Sequence, residues 1–441
     1  MINLFYTYNQ ASWDLHYSLI MSGYQNPTIA INDDGFLPED VTSPYLYFTG
    51  FADMPANPLY FNQIRVPEYW EISGNNSHAA VHDYHQKRAH IHYAHPGHLR
   101  CVKAVDWYDE KGRLRVTDRY NKQGYLFSQT SYNQASQATI TTYFNKDNQE
   151  VIVENHTTGD VILTADKIII FKSRSEFVAY YLKVAGYQLD RIFYNSLSTP
   201  FLATYQLGLA GNDVLFWQEE LGESIPGNMT LLLNDDVPRP TKIVIQKKKA
   251  YEKALDLLPL PLQNKVSFLG FHYPFKRQNH LTNEALILTN SDQLEGIEEL
   301  LRQIPSLHVH IGALTEMSAK LMALGKYPNV SLYPNISQAN VNHLFQTCSF
   351  YLDINHGNEI LAALRTAFEN RMLILAFNNT VHGRDYIADR HCFAPTEIAQ
   401  MSQKLQDLIG NESNMITAIV AQEAAAHLTS KEQYQAIIDT F

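Results

Sequence analysis

The sequence is poor in the features that mark secreted, membrane-spanning and zinc-cluster proteins. Its 441 residues include only three cysteines, Cys101, Cys348 and Cys392, which are widely spaced and odd in number. This pattern excludes a disulfide framework and a CxxC zinc motif. The first residues, MINLFYTYNQ, have no basic segment followed by an apolar one, so no signal peptide is expected. No apolar run reaches the ~18 residues of a membrane-spanning helix. These absences predict a cytoplasmic protein.

Positive charge is also scarce. The chain has 34 Lys and Arg residues against 45 Asp and Glu residues, for a net charge of −11. A surface that binds nucleic acid needs cations to replace the counterions around phosphates, so no nucleic-acid partner is expected. Apolar and aromatic residues are abundant: 45% of residues are hydrophobic and 27 are tyrosines. This composition is typical of a globular protein with two or three domains.

The spacing of apolar residues divides the chain into three parts. Residues 1–57 and 173–271 alternate strands with helices, which predicts a discontinuous N-terminal Rossmann-like domain. Residues 58–172 consist of short β-branched and aromatic runs separated by turns such as NKQG and NKDN, which predicts an inserted antiparallel sheet. Residues 272–441 alternate strands and helices again and predict a C-terminal Rossmann-like domain.

The order of elements in the last 170 residues resembles the C-terminal half of retaining GT-B glycosyltransferases. The expected fold class is therefore α/β and GT-B-like, with two Rossmann-like doubly wound domains and an extended antiparallel β-sheet inserted in the first. In GT-B enzymes an Arg and, five residues later, a Lys follow the first strand of the second domain and neutralise the departing diphosphate. In ILTNSDQLEG these positions fall on Asn290 and Glu295, and a carboxylate would repel a diphosphate.

The remaining family positions are altered as well. The two glutamates of the family, eight positions apart, fall on Gly357 and Arg365. A helix is predicted from Glu359 to Glu369, with Asn358 as its N-cap and Glu359 beside the positive end of the helix dipole. The Gly-rich turn after the first strand is replaced by YNQASWDL, which has no glycine. Three altered sites favour lost catalysis over misplaced residues, so we expect no catalytic residue and no cofactor.

Two stretches, IAINDDGFLPEDVTSPYLYFTGF and VDWYDEKGRLRVTDRYNKQGYLFSQTSYN, resemble the glycosyltransferase-stabilising GtfB family of accessory Sec systems in Gram-positive bacteria. The resemblance covers essentially the whole chain. It implies a non-catalytic paralogue of GtfA, the enzyme that transfers N-acetylglucosamine from UDP to Ser or Thr of serine-rich-repeat adhesins before export. The implied role is to stabilise and activate GtfA in a heterotetramer and to help it engage the adhesin, in the cytoplasm or peripherally on the inner face of the membrane.

Two other interpretations remain open at this point. One is an active GT-B glycosyltransferase that uses a nucleotide-sugar donor. The other is a carbohydrate- or glycopeptide-binding module that needs no partner. The missing Arg, Lys and Glu argue against the first, and nothing in the sequence separates the second from a GtfA-stabilising role.

The inserted sheet carries the candidate surface for the acceptor or the partner subunit. In RLRVTDRY, Leu114, Val116 and Asp118 alternate with Arg113, Arg115, Thr117 and Arg119. Packing of the sheet alone explains about half of its aromatic residues. The candidate contact residues are Arg113, Arg115, Arg119, Tyr120, Tyr125 and Tyr132.

Two further clusters have simple explanations. Seven histidines lie between His78 and His98, and His90 and His92 share a strand face that could hold Zn²⁺. Only Asp83 accompanies them, so a polar edge of the sheet is favoured and no metal site is expected. Residues 247–249, a run of three lysines, are interpreted as a solvated helix start, with weak attraction to an anionic membrane surface as the alternative.

Overall fold

The computed structural model describes residues 1–440, which form two compact units. The first unit contains residues 1–269 and 431–440, and the second contains residues 270–430. The sequence assigned residues 431–440 to the C-terminal domain, and the structure corrects this assignment. Tyr434 is fully buried in the first unit, and the Lys242 ammonium donates to the Ile437 carbonyl over 2.6 Å. An α/β fold with parallel and antiparallel sheets is confirmed, whereas the GT-B-like arrangement and the other domain limits stay predictions.

The strands are numbered in chain order. The first unit contains β1 (Ile2–Thr7), β2 (Thr28–Asn32), β3 (Val41–Thr42), β4 (Glu71–Gly74), β5 (His78–Asp83), β6 (Gln86–Tyr93), β7 (Val102–Tyr108), β8 (Leu114–Tyr120), β9 (Leu126–Tyr132), β10 (Ala138–Phe144), β11 (Glu150–Asn155), β12 (Val161–Thr164), β13 (Ile168–Phe171), β14 (Ile192–Tyr194), β15 (Asp213–Trp217), β16 (Thr241–Ile245) and β17 (Val266–Phe268). The second unit contains β18 (Glu284–Thr289), β19 (His308–Ala313), β20 (Val330–Tyr333), β21 (Phe350–Asp353), β22 (Leu373–Phe377) and β23 (Cys392–Phe393).

The helices are numbered in the same way. They are α1 (Gln10–Met21), α2 (Pro44–Thr49), α3 (Arg174–Val184), α4 (Thr199–Gln206), α5 (Gly227–Leu233), α6 (Lys248–Leu257), α7 (Leu260–Gln263), α8 (Ile297–Gln303), α9 (Ala319–Met322), α10 (Gln338–Thr347), α11 (Ala363–Glu369), α12 (Ile398–Leu408), α13 (Glu412–Ala425) and α14 (Lys431–Ile438). None of the helices within residues 1–440 combines the length and the apolar character needed to cross a membrane.

The first unit contains a seven-stranded parallel sheet in the order β17-β16-β15-β14-β1-β2-β3. Its central strands are apolar on both faces; every residue of β15, for example, is buried. Buried parallel strands require this continuous apolar character because helices cover both faces of the sheet. The strand order reverses between β1 and β14, which is the place where doubly wound sheets bind ligands.

A ten-stranded antiparallel sheet, β13 to β4 in reverse chain order, belongs to the same unit. At the β10–β13 end, Tyr143, Ile152 and Leu163 join the core of the unit. At the β5–β7 end the opposite face forms a separate apolar cluster around Val81 and Ile91. The turn between β8 and β9 needs Gly124, because its φ is +87° and a β-carbon there would overlap the Asn57 carbonyl oxygen.

The second unit is built on a six-stranded parallel sheet in the order β20-β19-β18-β21-β22-β23. Apolar clusters cover both faces, with Ile287 and Leu375 on one side and Leu286 and Ile374 on the other. The order reverses between β18 and β21, as predicted from the regular alternation of strands and helices. The segments that follow β18, β21 and β22 therefore meet at one edge of the sheet, and three of the four altered family positions lie on them.

Candidate functional site

Asn355, two residues beyond β21, holds together the two loops at the strand reversal of the second unit. Its Oδ1 atom accepts hydrogen bonds from the Thr289 hydroxyl (2.7 Å) and from the Gly357 amide (2.9 Å). Its Nδ2 atom donates to the Asn358 carbonyl over 3.3 Å. These bonds anchor the loop after β21 at the strand reversal, the place where doubly wound sheets bind ligands.

Asn290 and Gly357, two of the predicted altered positions, lie against each other at this edge. A β-carbon at Gly357 would overlap the Asn290 Oδ1 atom and would lie 3.1 Å from the Ser291 β-carbon. A glutamate at position 357 therefore requires Asn290 to leave its present position. The short side chain of Asn290 and the absence of one at Gly357 are thus matched to each other at this edge.

His382 fastens the same loop from the segment after β22. Its Nδ1 donates to the Asp353 carboxylate over 2.6 Å, and its Nε2 donates to the Gly357 carbonyl over 2.6 Å. Burial alone would lower the pKa of His382, but its bonds to Gly357 and Asp353 raise it. Because both ring nitrogens donate to fixed acceptors, His382 is a positively charged clamp and is not available as a general base.

Asp353 itself is buried at the end of β21. Burial raises the pKa of its carboxyl group, and the bonds from the backbone and side chain of His382 oppose that rise. The sequence reasoning missed both residues. The signal for Asp353 was present, since it is the last residue of a buried strand at the strand reversal, whereas His382 lies in a loop with no distinguishing pattern.

Glu295, the residue at the predicted Lys position, has partners within the chain. Its carboxylate accepts from Asn379 Nδ2 (2.8 Å) and His356 Nε2 (2.8 Å). These bonds, that from Asn379 foremost, hold its pKa below the usual value. A negative charge therefore persists at Glu295.

Arg365, the fourth altered position, forms a structural ion pair. Its Nε donates to Glu369 Oε1 over 2.8 Å, one turn along α11. The Glu369 carboxylate also pairs with the Lys276 ammonium at 3.1 Å. Arg365 is consequently committed to Glu369 and does not mark a free anion site.

The helix containing Arg365 begins four residues later than predicted. Its first residue is Ala363, because Leu361 and Ala362 both have left-handed backbone conformations, with φ of 57° and 47°. Asn358 is therefore not the N-cap, and that prediction is wrong. Glu359 still caps the helix, since its carboxylate accepts from the Leu364 amide over 2.9 Å.

The strand reversal of the first unit is also filled by the chain. Asn9, in YNQASWDL, caps α1 by accepting from the Ser12 amide over 3.0 Å. Asn195, after β14, donates to the Ser12 hydroxyl (2.9 Å) and to Gln218 (3.2 Å). Side chains thus replace the open glycine turn that would admit a phosphate at this place.

The six candidate contact residues of the ten-stranded sheet are not brought to one surface. Arg113 pairs with Asp109 inside the β7–β8 turn. Tyr120 packs against the apolar cluster around Ile91, and burial raises its pKa to about 12. Tyr125 packs on the Phe51 ring at a centroid distance of 5.4 Å.

The other three candidates share one face, because they alternate in step with Thr117. Tyr132 accepts a bond from the Thr117 hydroxyl (3.2 Å), and Arg119 donates to Thr130 (2.7 Å). Arg115 lies two residues before Thr117, and its Nη1 atom has no hydrogen-bond partner among residues 1–440. Arg119 also lines a hollow of about 340 Å³ beside Asp34, His92 and Lys103.

The histidines of the sheet share a face, as predicted. The ring of His90 lies 5.0 Å from that of His78 and 4.4 Å from that of His92, measured between centroids. They lie on β5 and β6, inside the sheet, whereas β4 forms the edge, so their assignment to a polar edge is wrong. The lysine run is a helix start, as predicted: α6 begins at Lys248, and Lys247 pairs with Glu220 at 2.6 Å.

Models of four domains match the chain in order: the GtfB N-terminal domain at residues 2–48, the GtfB middle domain at 70–172, the GtfB third domain at 174–257 and the GftB/GlyA-F C-terminal domain at 285–422. Among curated proteins, the UDP-N-acetylglucosamine–peptide N-acetylglucosaminyltransferase stabilizing protein GtfB of Streptococcus gordonii is 46% identical over 438 residues, 99% of this chain and 97% of the relative. The protein of the same name from Streptococcus agalactiae is 43% identical over 99% of both chains.

Solved structures agree. One chain of the crystal structure of a GtfA/B complex bound to UDP and GlcNAc matches with a TM-score of 0.94 at 46% identity, over 100% of both chains. The pneumococcal O-GlcNAc transferase GtfA, in complex with UDP and GlcNAc, has a TM-score of 0.55 at 12% identity over 99% of this chain and 98% of that one, which shows the fold alone. The chain thus has an α/β fold of the kind found in this glycosyltransferase structure. Within that class it belongs to the GtfB family, and the predicted resemblance is confirmed.

Proposed function

We propose that this chain is the non-catalytic subunit of a protein O-glycosyltransferase. In this role it stabilises and activates a catalytic paralogue, GtfA, which transfers N-acetylglucosamine to Ser or Thr of serine-rich-repeat adhesins before accessory Sec export. The name and full-length similarity of the GtfB relatives support the role of stabilising partner. The finer parts of the proposal are a GT-B-like arrangement with the ten-stranded sheet inserted in the first Rossmann-like domain, a heterotetramer, and a cytoplasmic location with peripheral association at the membrane.

The single observation that carries the absence of catalysis is the loop that is anchored at the strand reversal of the second unit. The loop of residues 355–362 is held by Asn355 and His382, and Gly357 lies directly against Asn290. Glu295 places a carboxylate where the leaving diphosphate would need a cation. An active GT-B enzyme would need the opposite charge at this position, so the catalytic alternative is disfavoured.

Isoleucines of the ten-stranded sheet supply a surface for the catalytic paralogue. β13 is an edge strand, and its Ile168 and Ile170 side chains are 68% and 58% exposed. Ile170 pairs with Ile162 of the adjacent β12. A hydrophobic edge strand left in water is a site of association, because its unpaired backbone groups and apolar side chains both gain from contact. We assign this surface, Ile162, Ile168 and Ile170, to the catalytic paralogue.

The face carrying Arg115, Arg119 and Tyr132 supplies the acceptor contact in this proposal. Its partly exposed guanidinium groups and a tyrosine offer hydrogen-bond donors and an aromatic surface to an extended Ser/Thr-rich polypeptide. Arg113, which lies in the β7–β8 turn, and Tyr120 and Tyr125, which pack on other parts of the unit, are left out of this face.

The decisive experiment separates the two subunits. The chain is purified alone and titrated with UDP-N-acetylglucosamine by calorimetry, and hydrolysis and transfer are assayed with acceptor peptide. We expect neither binding nor turnover by the chain alone, and a rise in the amount and activity of the catalytic paralogue on co-expression. Transfer by the chain alone would establish the active enzyme instead. Binding of glycosylated repeats with no effect on the paralogue would establish the binding module.

A further inference from the structure

Three side chains with metal-binding atoms converge on one face of the second unit's sheet. They lie away from the loops at the strand reversal between β18 and β21. Glu284 is the first residue of β18, His310 lies on β19, and Cys348 ends α10 just before β21. One donor atom from each residue lies within 4.8 Å of the donors of the other two. The three residues come from segments far apart in sequence, so the fold alone brings them together.

His310 provides the second, independent observation. Its side chain is only 8% exposed, and its Nε2 atom has no hydrogen-bond partner within residues 1–440. A buried polar atom without a partner costs about 1–3 kcal/mol, so native proteins rarely leave one unless an ion or water satisfies it. The other ring nitrogen, Nδ1, contacts the Tyr333 hydroxyl at 3.0 Å. When Nδ1 donates to this hydroxyl, Nε2 carries a lone pair, as a ligand to a metal must.

We propose that Glu284, His310 and Cys348 form a binding site for one Zn²⁺ ion, with His310 Nε2, the Cys348 thiolate and a Glu284 oxygen as ligands. One sulfur, one imidazole nitrogen and one carboxylate oxygen form a donor set that suits zinc better than Mg²⁺ or Ca²⁺, which prefer oxygen alone. A water molecule completes the tetrahedron. The Tyr333 hydroxyl orients the imidazole from outside the ligand sphere.

The geometry sets the adjustment that binding requires. Ligand atoms of a tetrahedral zinc site lie about 3.3–3.8 Å apart, given bond lengths of about 2.0–2.3 Å. The present separations of up to 4.8 Å therefore close by about 1 Å on binding. Glu284 is the residue to make this movement, because its side chain is partly exposed, whereas Cys348 is fully buried.

The charges around the cluster are compatible with this assignment. Arg277 is the nearest cation, but its guanidinium group donates to the carbonyls of Phe345 and Cys348. Burial, foremost, and the Glu284 carboxylate raise the pKa of the Cys348 thiol to about 12, and the Arg277 charge opposes that rise. A bound Zn²⁺ would supply the positive charge that displaces the thiol proton. The imidazoles of His308 and His343 are the other groups facing His310. A bound ion would join β18, β19 and the end of α10, and so stabilise the second unit.

The test uses the whole chain, purified without a polyhistidine tag. After metal removal with a chelator, the wild-type protein is titrated with Zn²⁺ against a chromophoric chelator, and with Co²⁺ to detect thiolate-to-cobalt charge-transfer absorption. We expect about one Zn²⁺ per chain, a Co²⁺ spectrum with a thiolate band, and a higher melting temperature with zinc. A wild-type protein that retains no zinc and gives no thiolate band overturns the site without the need for any variant.

Variants locate the ion. Glu284→Gln, at a partly exposed position, should weaken zinc binding by about tenfold or more, and Cys348→Ala should abolish the thiolate band. The matched controls are Cys392→Ala, in the same unit, and the His90→Ala/His92→Ala double variant of the ten-stranded sheet. Both controls should bind zinc like the wild type. Loss of zinc in the double variant together with retention in Glu284→Gln would place the ion on the sheet histidines and refute the proposal.

Discussion

The Asn290 side-chain oxygen occupies the space that a β-carbon at Gly357 would need. The φ angle of Gly357 is not in the left-handed region, so the backbone itself would accept alanine and the contact alone opposes it. Asn290 is exposed and can rotate away, but its place against the loop is then lost. We expect Gly357→Ala to destabilise the protein by about 1 kcal/mol, with Asn290→Ala costing about 0.5 kcal/mol or less alone.

The combination of these two substitutions is the informative measurement. In the Asn290→Ala/Gly357→Ala double variant the overlap with the amide is removed, so its free energy of unfolding should exceed the additive expectation. Denaturant unfolding of the four proteins measures the coupling. Strict additivity would show that Gly357 and Asn290 do not interact energetically and would refute this prediction.

The His382 clamp makes part of the stability depend on pH. The folded-state pKa of His382 is raised, so its contribution is fully present below its unfolded-state pKa of about 6.5 and is lost as the pH rises through the folded-state value. We expect His382→Ala to cost about 1–3 kcal/mol at about pH 6 and less at about pH 9. The partly exposed His308, which contacts the Ser331 hydroxyl and the ring of His310, provides the control. An equal cost at both pH values would contradict the charged clamp.

The buried pair of Arg239 and Asp213 should be among the costliest to break. Both residues are at most 2% exposed, and Arg239 also donates to the carbonyls of Leu189, Leu209 and Ala210. Arg239→Met leaves a buried carboxylate and three carbonyls without their donor, and we expect a loss of about 3–5 kcal/mol. Lys247→Met, which breaks the exposed pair with Glu220, should cost about 1 kcal/mol or less. Similar losses in the two variants would refute the argument from burial.

Isoleucines at the sheet edge test the proposed interface. Ile168→Thr/Ile170→Thr should reduce co-purification of the catalytic paralogue by about tenfold or more, because both side chains lose apolar contact area. The stability of the isolated chain should change by about 0.5 kcal/mol per substitution or less. Val420→Thr, at a position 56% exposed in the second unit, is the matched control. Undiminished co-purification would place the paralogue elsewhere.

Local patterns in the sequence predicted most of the fold. The two-residue period of RLRVTDRY and the turns on either side of it specified β8, which lies at Leu114–Tyr120 between β7 and β9. The start of α11 could not be predicted, because Leu361 and Ala362 adopt left-handed backbone conformations that residues other than glycine rarely adopt. The sequence alone predicts a continuous helix through this segment.

The candidate site shows the same division. The carboxylate at Glu295 and the absence of an acid at Gly357 are visible in the letters of the sequence, and the lost catalysis that they indicate stays a prediction. The clamp of His382 on Asp353 joins residues 29 positions apart, and no periodic pattern encodes such a pair. The assignment of Tyr120 and Tyr125 to a contact surface stays a prediction, and the sequence could not show that Tyr120 packs against an apolar cluster while Tyr125 is 37% exposed.

Residues 431–440 complete the first unit after the chain has already passed through the second. During synthesis, Tyr434 and the Ile437 carbonyl that accepts from Lys242 are made only after residues 270–430. The core of the first unit lacks both groups until then. The first unit, although most of it is made first, is therefore completed only after the whole second unit has been synthesised. Two covalent crossings also tie the second unit in place, so a single proteolytic cut between the units does not release it.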